Sequence, residues 1–232
     1  MVLLNKSDLA DPRANKQWME YFQDQGILVI EINSKSGNGM KGIHGAVNEA
    51  CREKKERDKK RGILNRPIRA MVVGIPNVGK STFINSYTKK ACTKTGNKPG
   101  VTKGKQWIRL GKDLELLDTP GILWPKFEDR QVGMKLAFIG SINDEILLED
   151  ELAIDLIKVL SVSYPGAIEG RFVIEERKNP LETLELIGRA RGCFKKGNVI
   201  DFDKAASILI DDFRAGKLGR ITLELPDVKE NR

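Results

Sequence analysis

Several short runs of this sequence hold residue types whose spacing suits phosphate, metal and base chemistry. Gly74-Ile75-Pro76-Asn77-Val78-Gly79-Lys80-Ser81 fits the pattern G-x-x-x-x-G-K-[ST]. Such a loop turns successive backbone N–H groups, here from Asn77 through Val78 and Gly79 to Thr82, onto phosphate at a helix N-terminus. Lys80 would neutralise the β and γ oxygens, and Ser81 offers its hydroxyl to magnesium. Asp118-Thr119-Pro120-Gly121 supplies what a triphosphate needs opposite that loop. Asp118 is a carboxylate on the magnesium side, joining the Ser81 hydroxyl, and the Gly121 amide can sense the γ-phosphate. An Asp-Pro-Gly turn at a strand end is common by itself; its place downstream of the phosphate loop gives it this meaning.

Asn5-Lys6-Ser7-Asp8 fits N-K-x-D. The Asp8 carboxylate accepts both N–H groups on one edge of guanine, a donor pair that adenine lacks, so the motif selects GTP over ATP. The same residues also make an ordinary polar turn before a helix. Asn33-Ser34-Lys35-Ser36-Gly37 matches more loosely the S-A-K segment whose backbone amide reaches the guanine oxygen, with Asn33 and Ser34 where Ser and Ala are usual. A Ser/Gly loop before a helix is the competing reading.

Positioning these runs takes strands and helices. Residues 1–4 read as the end of a buried strand. Asp11-Pro12 starts a helix, since a carboxylate caps free amides and proline suits the first helical position. Trp18, Met19 and Phe22 give that helix its buried face, and Gly26 ends it. Residues 27–32 form a continuous apolar run, as in a parallel strand covered on both sides. Met40, Ile43, Val47 and Ala50 recur at helical spacing, and the helix runs on through residues 51–61. Residues 68–74 are another buried strand, while 105–110 and 114–118 form a hairpin turned at Gly111-Lys112. This alternation predicts an α/β fold over residues 1–125, with a mainly parallel sheet and one antiparallel edge. Beyond it, 132–139, 146–162, 181–190 and 202–213 read as helices. Residues 126–232 are therefore expected to form an all-helical domain ending in an extended tail, 221–225.

With 232 residues and 40% of them apolar, the chain can bury one large or two modest cores. Cys51, Cys92 and Cys193 lack paired spacing and His44 is the single histidine, which excludes a disulfide scaffold and a Cys/His zinc module. No apolar run approaches a bilayer span, and residues 1–4 are too short for a signal-peptide core; a soluble cytoplasmic protein without a membrane partner is the expectation. Residues 1–122 carry 23 Lys and Arg against 12 Asp and Glu, whereas 123–232 carry 17 against 20. Within 35–115 there are 20 basic and 6 acidic residues, a surplus that suits an RNA backbone. The run 52–61 would serve equally as a solvated helix face with local ion pairs. Arg189, Arg191, Lys195 and Lys196 form a smaller basic group in the helical half, or simply flank a helix end.

Taken together, these motifs resemble the translation-factor class of P-loop GTPases with the guanine-reading elements ahead of the phosphate loop, the circularly permuted order. Adding Pro99-Gly100-Val101-Thr102, Gln106-Trp107 and the run LLDTPGILWPKFED over 116–129, nearly the whole chain is similar to the ribosome biogenesis GTPase A family, the YlqF type. The resemblance implies hydrolysis of GTP to GDP and phosphate in late maturation of the large ribosomal subunit, with the ribosome as activator. It also implies a monomer that contacts the subunit and its RNA through the helical domain and binds no DNA. Lys80, Thr102 and Gly121 become the catalytic set, and Ser81, Thr102 and Asp118 the magnesium side, with Thr102 as the switch threonine. Asn77 matches the asparagine that holds potassium beside the phosphates in relatives activated by that ion.

Two departures qualify the resemblance. Ile122 stands where many GTPases carry the glutamine that orients the attacking water, and its side chain neither donates nor accepts a hydrogen bond. The family also carries a leading segment ahead of the point where this chain starts, with a Pro-Gly-His run proposed to supply a catalytic histidine; His44 lies on a helix away from the phosphate loop. The expectation is a low basal rate and an incomplete sheet, lacking the strand between the phosphate-loop strand and the N-K-x-D strand. The alternative is a truncated, non-catalytic guanine-nucleotide or RNA-binding module.

Overall fold

A computed structural model describes residues 1–63, 66–89, 106–110, 113–123, 129–142 and 149–227. They fall into two units, Met1–Trp124 with Thr222–Arg232, and Pro125–Ile221.

In the first unit, β1 (Val2–Leu4) pairs in parallel with β2 (Val29–Glu31), and α1 (Pro12–Asp24) makes the crossover. Asp11 caps α1 by accepting from the Arg13 N–H at 2.8 Å. Trp18, Met19 and Phe22 prove only half-buried, and the fully buried residues of α1 are Ala14 and Asn15. A 3-10 turn, Met40–Gly42, leads into α2 (Ile43–Ala50), and α3 (Arg52–Lys60) follows. The single helix expected from Met40 to Arg61 is thus broken at Cys51, whose φ and ψ of −106° and 12° leave the helical region. Ile43 and Val47 hold α2 in the core, whereas α3 has no buried residue to continue that stripe.

After α3, β3 (Ile68–Val72) runs parallel to β5 (Leu114–Asp118), with β4 (Gln106–Leu110) antiparallel on β5's far side. The two-residue period of β5 buries Leu114, Leu116 and Asp118 on one face. That face, with Ile68 and Ile108, packs on Ile43 and Val47 and on Phe83 and Ile84 of α4 (Lys80–Thr88). Among the described residues, β1–β2 and β3–β5–β4 remain separate ladders with no strand joining them. The turn at Gly111-Lys112 lies outside the described residues.

The second unit packs α5 (Arg130–Phe138), α6 (Glu149–Ser163), α7 (Ala167–Phe172), α8 (Pro180–Ala190) and α9 (Phe202–Arg214) around Phe138, Leu156, Ile157, Leu160, Ile168, Leu184, Ile187 and Leu209, all fully buried. Each such side chain contributes about 1.5–3 kcal/mol. The expectation of an all-helical domain needs correction. A two-stranded hairpin, β6 (Phe194–Lys195) with β7 (Val199–Ile200), turns where Gly197 and Asn198 adopt positive φ of 88° and 61°. The six-residue α7, too short to show a period, also escapes pattern reading. The tail assigned to this domain belongs instead to the first unit. Thr222 Oγ1 accepts from the Asp11 N–H at 3.1 Å, and the Trp18 indole donates to the Glu224 carbonyl at 3.1 Å.

Buried Asp212 on α9 accepts from Arg171 at 2.7 Å and Lys217 at 2.6 Å. Burial pushes its carboxyl pKa up, but the hydrogen bonds from Lys217 and Arg171 outweigh this and hold it below the usual range. A depressed native value means the stabilisation is present above the unfolded aspartate pKa of about 3.9 and is lost as pH falls through the native one. Asp212→Asn should therefore cost about 3 kcal/mol at neutral pH and flatten the acid limb of Tm against pH. Unchanged thermal unfolding at pH 7 would refute the assignment.

Candidate functional site

The phosphate loop leaves β3 and reaches α4 through two left-handed residues, Asn77 at φ 60° and Gly79 at φ 93°. Asparagine tolerates that region. Glycine at 79 answers a second demand, because a Cβ there would lie 2.5 Å from Asn5 Nδ2. Lys80 is buried, and its ammonium donates to the carbonyls of Gly74 at 2.9 Å and Ile75 at 2.8 Å. Burial lowers its pKa, opposed by the Asp118 charge. The cation expected on phosphate is thus held at the loop by carbonyl oxygens that phosphate oxygens can replace.

Ser81, at the first turn of α4, donates to Asp118 Oδ2 at 3.4 Å. Asp118 is fully buried, and its Oδ1 has no hydrogen-bond partner among the described residues. Burial raises the Asp118 pKa, against the Ser81 hydrogen bond, the Lys80 charge and the Thr119 backbone. An unpartnered buried acceptor costs about 1–3 kcal/mol. The adjoining Thr119 hydroxyl donates to the Val72 carbonyl at 2.7 Å and so ties the end of β5 to the start of the phosphate loop. A Cβ on Gly121 would sit 2.7 Å from Pro76 N and Cα and 2.9 Å from Lys80 Nζ. Only glycine lets Asp118-Thr119-Pro120-Gly121 seat on the phosphate loop at this distance. A cavity of about 230 Å³ opens beside it, lined by Val73, Gly74, Ile75, Thr119, Pro120 and Ile122. Ile122 is 74% exposed.

Asn5 does not face outward. Its Nδ2 donates to the Val78 carbonyl at 2.8 Å, and its Oδ1 accepts from the Ser34 N–H at 3.1 Å and hydroxyl at 2.8 Å. It links the phosphate loop to the loop after β2, while Asp8, three residues on, is exposed. Lys6 between them has φ 58°. Residues 33–35 close on Asn5 and on their own loop. Ser34, buried, points to Asn5, and Asn33 folds the loop on itself, its Oδ1 accepting from the N–H groups of Lys35 at 2.9 Å and Ser36 at 3.1 Å. The Ser34 and Lys35 amides therefore donate to side-chain acceptors here, because asparagine competes locally for such donors.

Thr102, the rest of Pro99-Gly100-Val101-Thr102 and residues 124–128 lie outside the described residues. His44 is exposed on α2. The small basic group in the second unit is largely spent at home. Arg189 pairs with Glu185 at 2.6 Å, Arg191 lies over the Phe172 ring at 5.0 Å, and Lys195 pairs with Asp203 at 2.9 Å. Thr119, Pro76 and the Ile75 carbonyl were not among the expected site residues. Pro76 and Ile75 act through backbone atoms, which leave no mark on residue type, and Thr119 acts through a hydroxyl that serves the Val72 carbonyl.

Comparisons with known proteins agree with this geometry. A family model described as 50S ribosome-binding GTPase matches residues 69–164. Ribosome biogenesis GTPase A of Bacillus cereus is 46% identical over 228 residues, covering 98% of this chain and 77% of the relative. The Thermotoga maritima protein of the same name is 33% identical over 227 residues, covering 98% and 76%. The crystal structure of GNP-bound YlqF from T. maritima superposes with a TM-score of 0.67 at 30% identity, covering 98% of this chain and 82% of that one. A P-loop Lys80 and Ser81 set against a buried Asp118, an N-K-x-D asparagine bonded to the phosphate loop, and relatives of this identity and coverage lead to one assignment: this chain belongs to the ribosome biogenesis GTPase A family.

Proposed function

We propose that this chain binds GTP and hydrolyses it to GDP and phosphate during late maturation of the large ribosomal subunit, with the subunit stimulating hydrolysis. The observation that carries this reading is the unpartnered Oδ1 of fully buried Asp118 beside the Ser81 hydroxyl. Among the described residues no group of three His, Cys, Asp or Glu side chains could hold a metal. One carboxylate and one hydroxyl fit magnesium, which takes few protein ligands and completes its shell with water and substrate phosphate. Ser81, Asp118 and Thr102 would hold it, and when bound it neutralises charge on the β and γ oxygens.

Lys80 exchanges the Gly74 and Ile75 carbonyls for phosphate oxygens, and Gly121, in contact with the phosphate loop, registers the γ-phosphate. Asn77, Val78, Gly79 and Thr82 line the phosphates through backbone N–H groups, with potassium as an additional ion at Asn77. Asp8 reads guanine, and Lys6 flanks the base. Asn5 and Ser34 set the spacing between base loop and phosphate loop, and Asn33 and Lys35 shape the base loop. The base elements precede the phosphate loop in the chain, so the domain is read as circularly permuted. Ile122 cannot orient water, which makes a low basal rate and an external activator the natural pairing. The basic first half supports contact with subunit RNA, and the protein is read as a cytoplasmic monomer. Steady-state phosphate release should be slow alone and rise about a hundredfold or more, the scale of one preorganised group, when large subunits are added. Nucleotide binding without turnover in either condition would favour the non-catalytic module.

The raised native pKa of Asp118 means that its charge opposes folding: stability is fully present below the unfolded aspartate value and is lost as pH rises through the native one. Asp118→Asn should accordingly raise the Tm of the nucleotide-free protein by a few degrees at pH 7 while abolishing the further rise that magnesium and GDP produce in the parent. A lower Tm in the variant would contradict this. Asp8→Asn should weaken GTP by about tenfold, or roughly 1.4 kcal/mol, and favour xanthosine triphosphate, whose oxygen replaces the exocyclic amine and meets the new amide donor. Competition with a fluorescent nucleotide reads both, and equal binding of ATP and GTP by the parent would remove the basis for the assignment.

A further inference from the structure

Helix α3 buries none of its residues. Arg52, Lys54, Lys55, Arg57, Lys59 and Lys60, with Arg61 at the C-cap, are all exposed, and only Asp58 is half-buried. Nine residues fall short of the roughly 12–15 that an isolated helix needs in water. The helix is anchored at its start, where Lys55 N–H donates to the Cys51 carbonyl at 2.9 Å and Lys55 Nζ to Asn48 Oδ1 at 2.6 Å. Glu53 with Arg57, and Glu56 with Lys60, have the four-residue spacing that favours ion pairs. Among the described residues, however, no ion pair forms within α3, so its cations are not neutralised by its own acids.

The charges are ordered around the axis. At about 100° per residue, Arg52, Lys55 and Lys59 share one stripe about 60° wide. Lys54, Arg57 and Arg61 share a second, about 160° away. Half-buried Asp58 marks the side turned to the protein, and opposite it, between the stripes, runs a crest of Glu53, Glu56 and Lys60.

We propose that α3 is a wedge that lodges between two phosphate backbones of large-subunit RNA, with one basic stripe on each wall. The proposal rests on the ribosomal reading above and assigns a surface to it. Two basic flanks around a crest that holds two carboxylates and Lys60 suit a cleft whose walls are phosphate and whose floor is base edges, since carboxylates accept from cytosine amino groups and lysine donates to guanine. A flat anionic surface would meet Glu53 and Glu56 head on. An anionic membrane is further disfavoured, because an interfacial helix needs an apolar face and α3 has none. The regular RNA major groove is too narrow to admit a helix. The fitting site therefore has backbones about 10–12 Å apart, the width of a helix, as at a groove opened by a bulge or between adjoining RNA helices.

The test titrates the full chain onto protein-free large-subunit RNA and onto intact large subunits across a salt series. Arg52→Ala/Lys55→Ala/Lys59→Ala and Lys54→Ala/Arg57→Ala/Arg61→Ala form the two variants; alanine keeps the helix, and far-UV circular dichroism and GDP affinity, both expected unchanged, verify the fold. Each variant should lower the slope of log affinity against log salt by about 2–3 and weaken binding of both targets by about tenfold or more. Loss through one stripe alone would mean a one-sided contact and overturn the wedge. So would an effect on intact subunits that is absent on naked RNA, which would point to a ribosomal protein. If the parent binds the RNA and both variants match it, the wedge falls and the ribosomal reading stands; if the parent binds neither RNA nor subunits, both fall.

Discussion

The site depends on one side-chain amide. The β1–β2 and β3–β5–β4 ladders share no hydrogen-bonded edge among the described residues, so backbone pairing does not set the distance between the base elements and the phosphate loop. Asn5 does so instead, giving its Nδ2 proton to Val78 and taking the amide and hydroxyl of Ser34. The closeness of that contact explains Gly79, where any side chain would displace the Asn5 amide. Aspartate at position 5 would have no proton for Val78, and alanine would leave Ser34 and Val78 unsatisfied at once. A small, half-buried network therefore couples ladders that the fold leaves separate, and such networks lose much of their value when any one member is removed.

Around that strut, polar groups are held at a folding cost. Lys80 and Asp118 are desolvated in opposite senses, the lysine pKa lowered and the aspartate pKa raised. Each charge is the other's partial compensation, and neither is fully satisfied, since Asp118 keeps an open oxygen. Under the proposed function, a polyanion with a divalent cation would supply what is missing: acceptors for the ammonium and a positive centre for the carboxylate. The apolar layer beneath, with Phe83 and Ile84 of α4 against Leu114, Leu116 and Ile108, keeps that arrangement from relaxing.

Much of this was legible in the residues. The phosphate-loop pattern, the strand ending in Asp118 and the N-K-x-D run each tie residue type to a chemical need, and the geometry brings Lys80, Ser81, Asp118 and Gly121 together. The direction of Asn33 was not legible. Asparagine, serine and lysine in a loop are equally consistent with facing a base or closing on the loop itself, and only the positions of the Lys35 and Ser36 amides decide. The break at Cys51 was missed for a related reason: helical spacing of apolar residues ends at Ala50, but a charged run has high helix propensity and conceals the point where packing stops. The return of the tail to α1 rests on Thr222 and the Glu224 carbonyl meeting Asp11 and Trp18, contacts more than two hundred positions apart that no local pattern encodes.

Ile122 makes the last step of synthesis possible. Its exposed aliphatic side chain borders a largely apolar cavity against Ile75 and Pro120, and it has no group of its own to polarise water. A glutamine in its place would supply that group from within, and hydrolysis would then proceed at a rate set by the chain alone. With isoleucine, position 122 contributes no hydrogen-bonding group beside the Lys80, Ser81 and Asp118 cluster. Under the proposed function, rate then becomes a property of the complex: nucleotide is held with the subunit absent and consumed when a partner completes the site. On that proposal the apolar residue that lowers basal turnover would be what allows turnover to report docking, and a basic surface elsewhere on the same unit would give the partner its means of arrival.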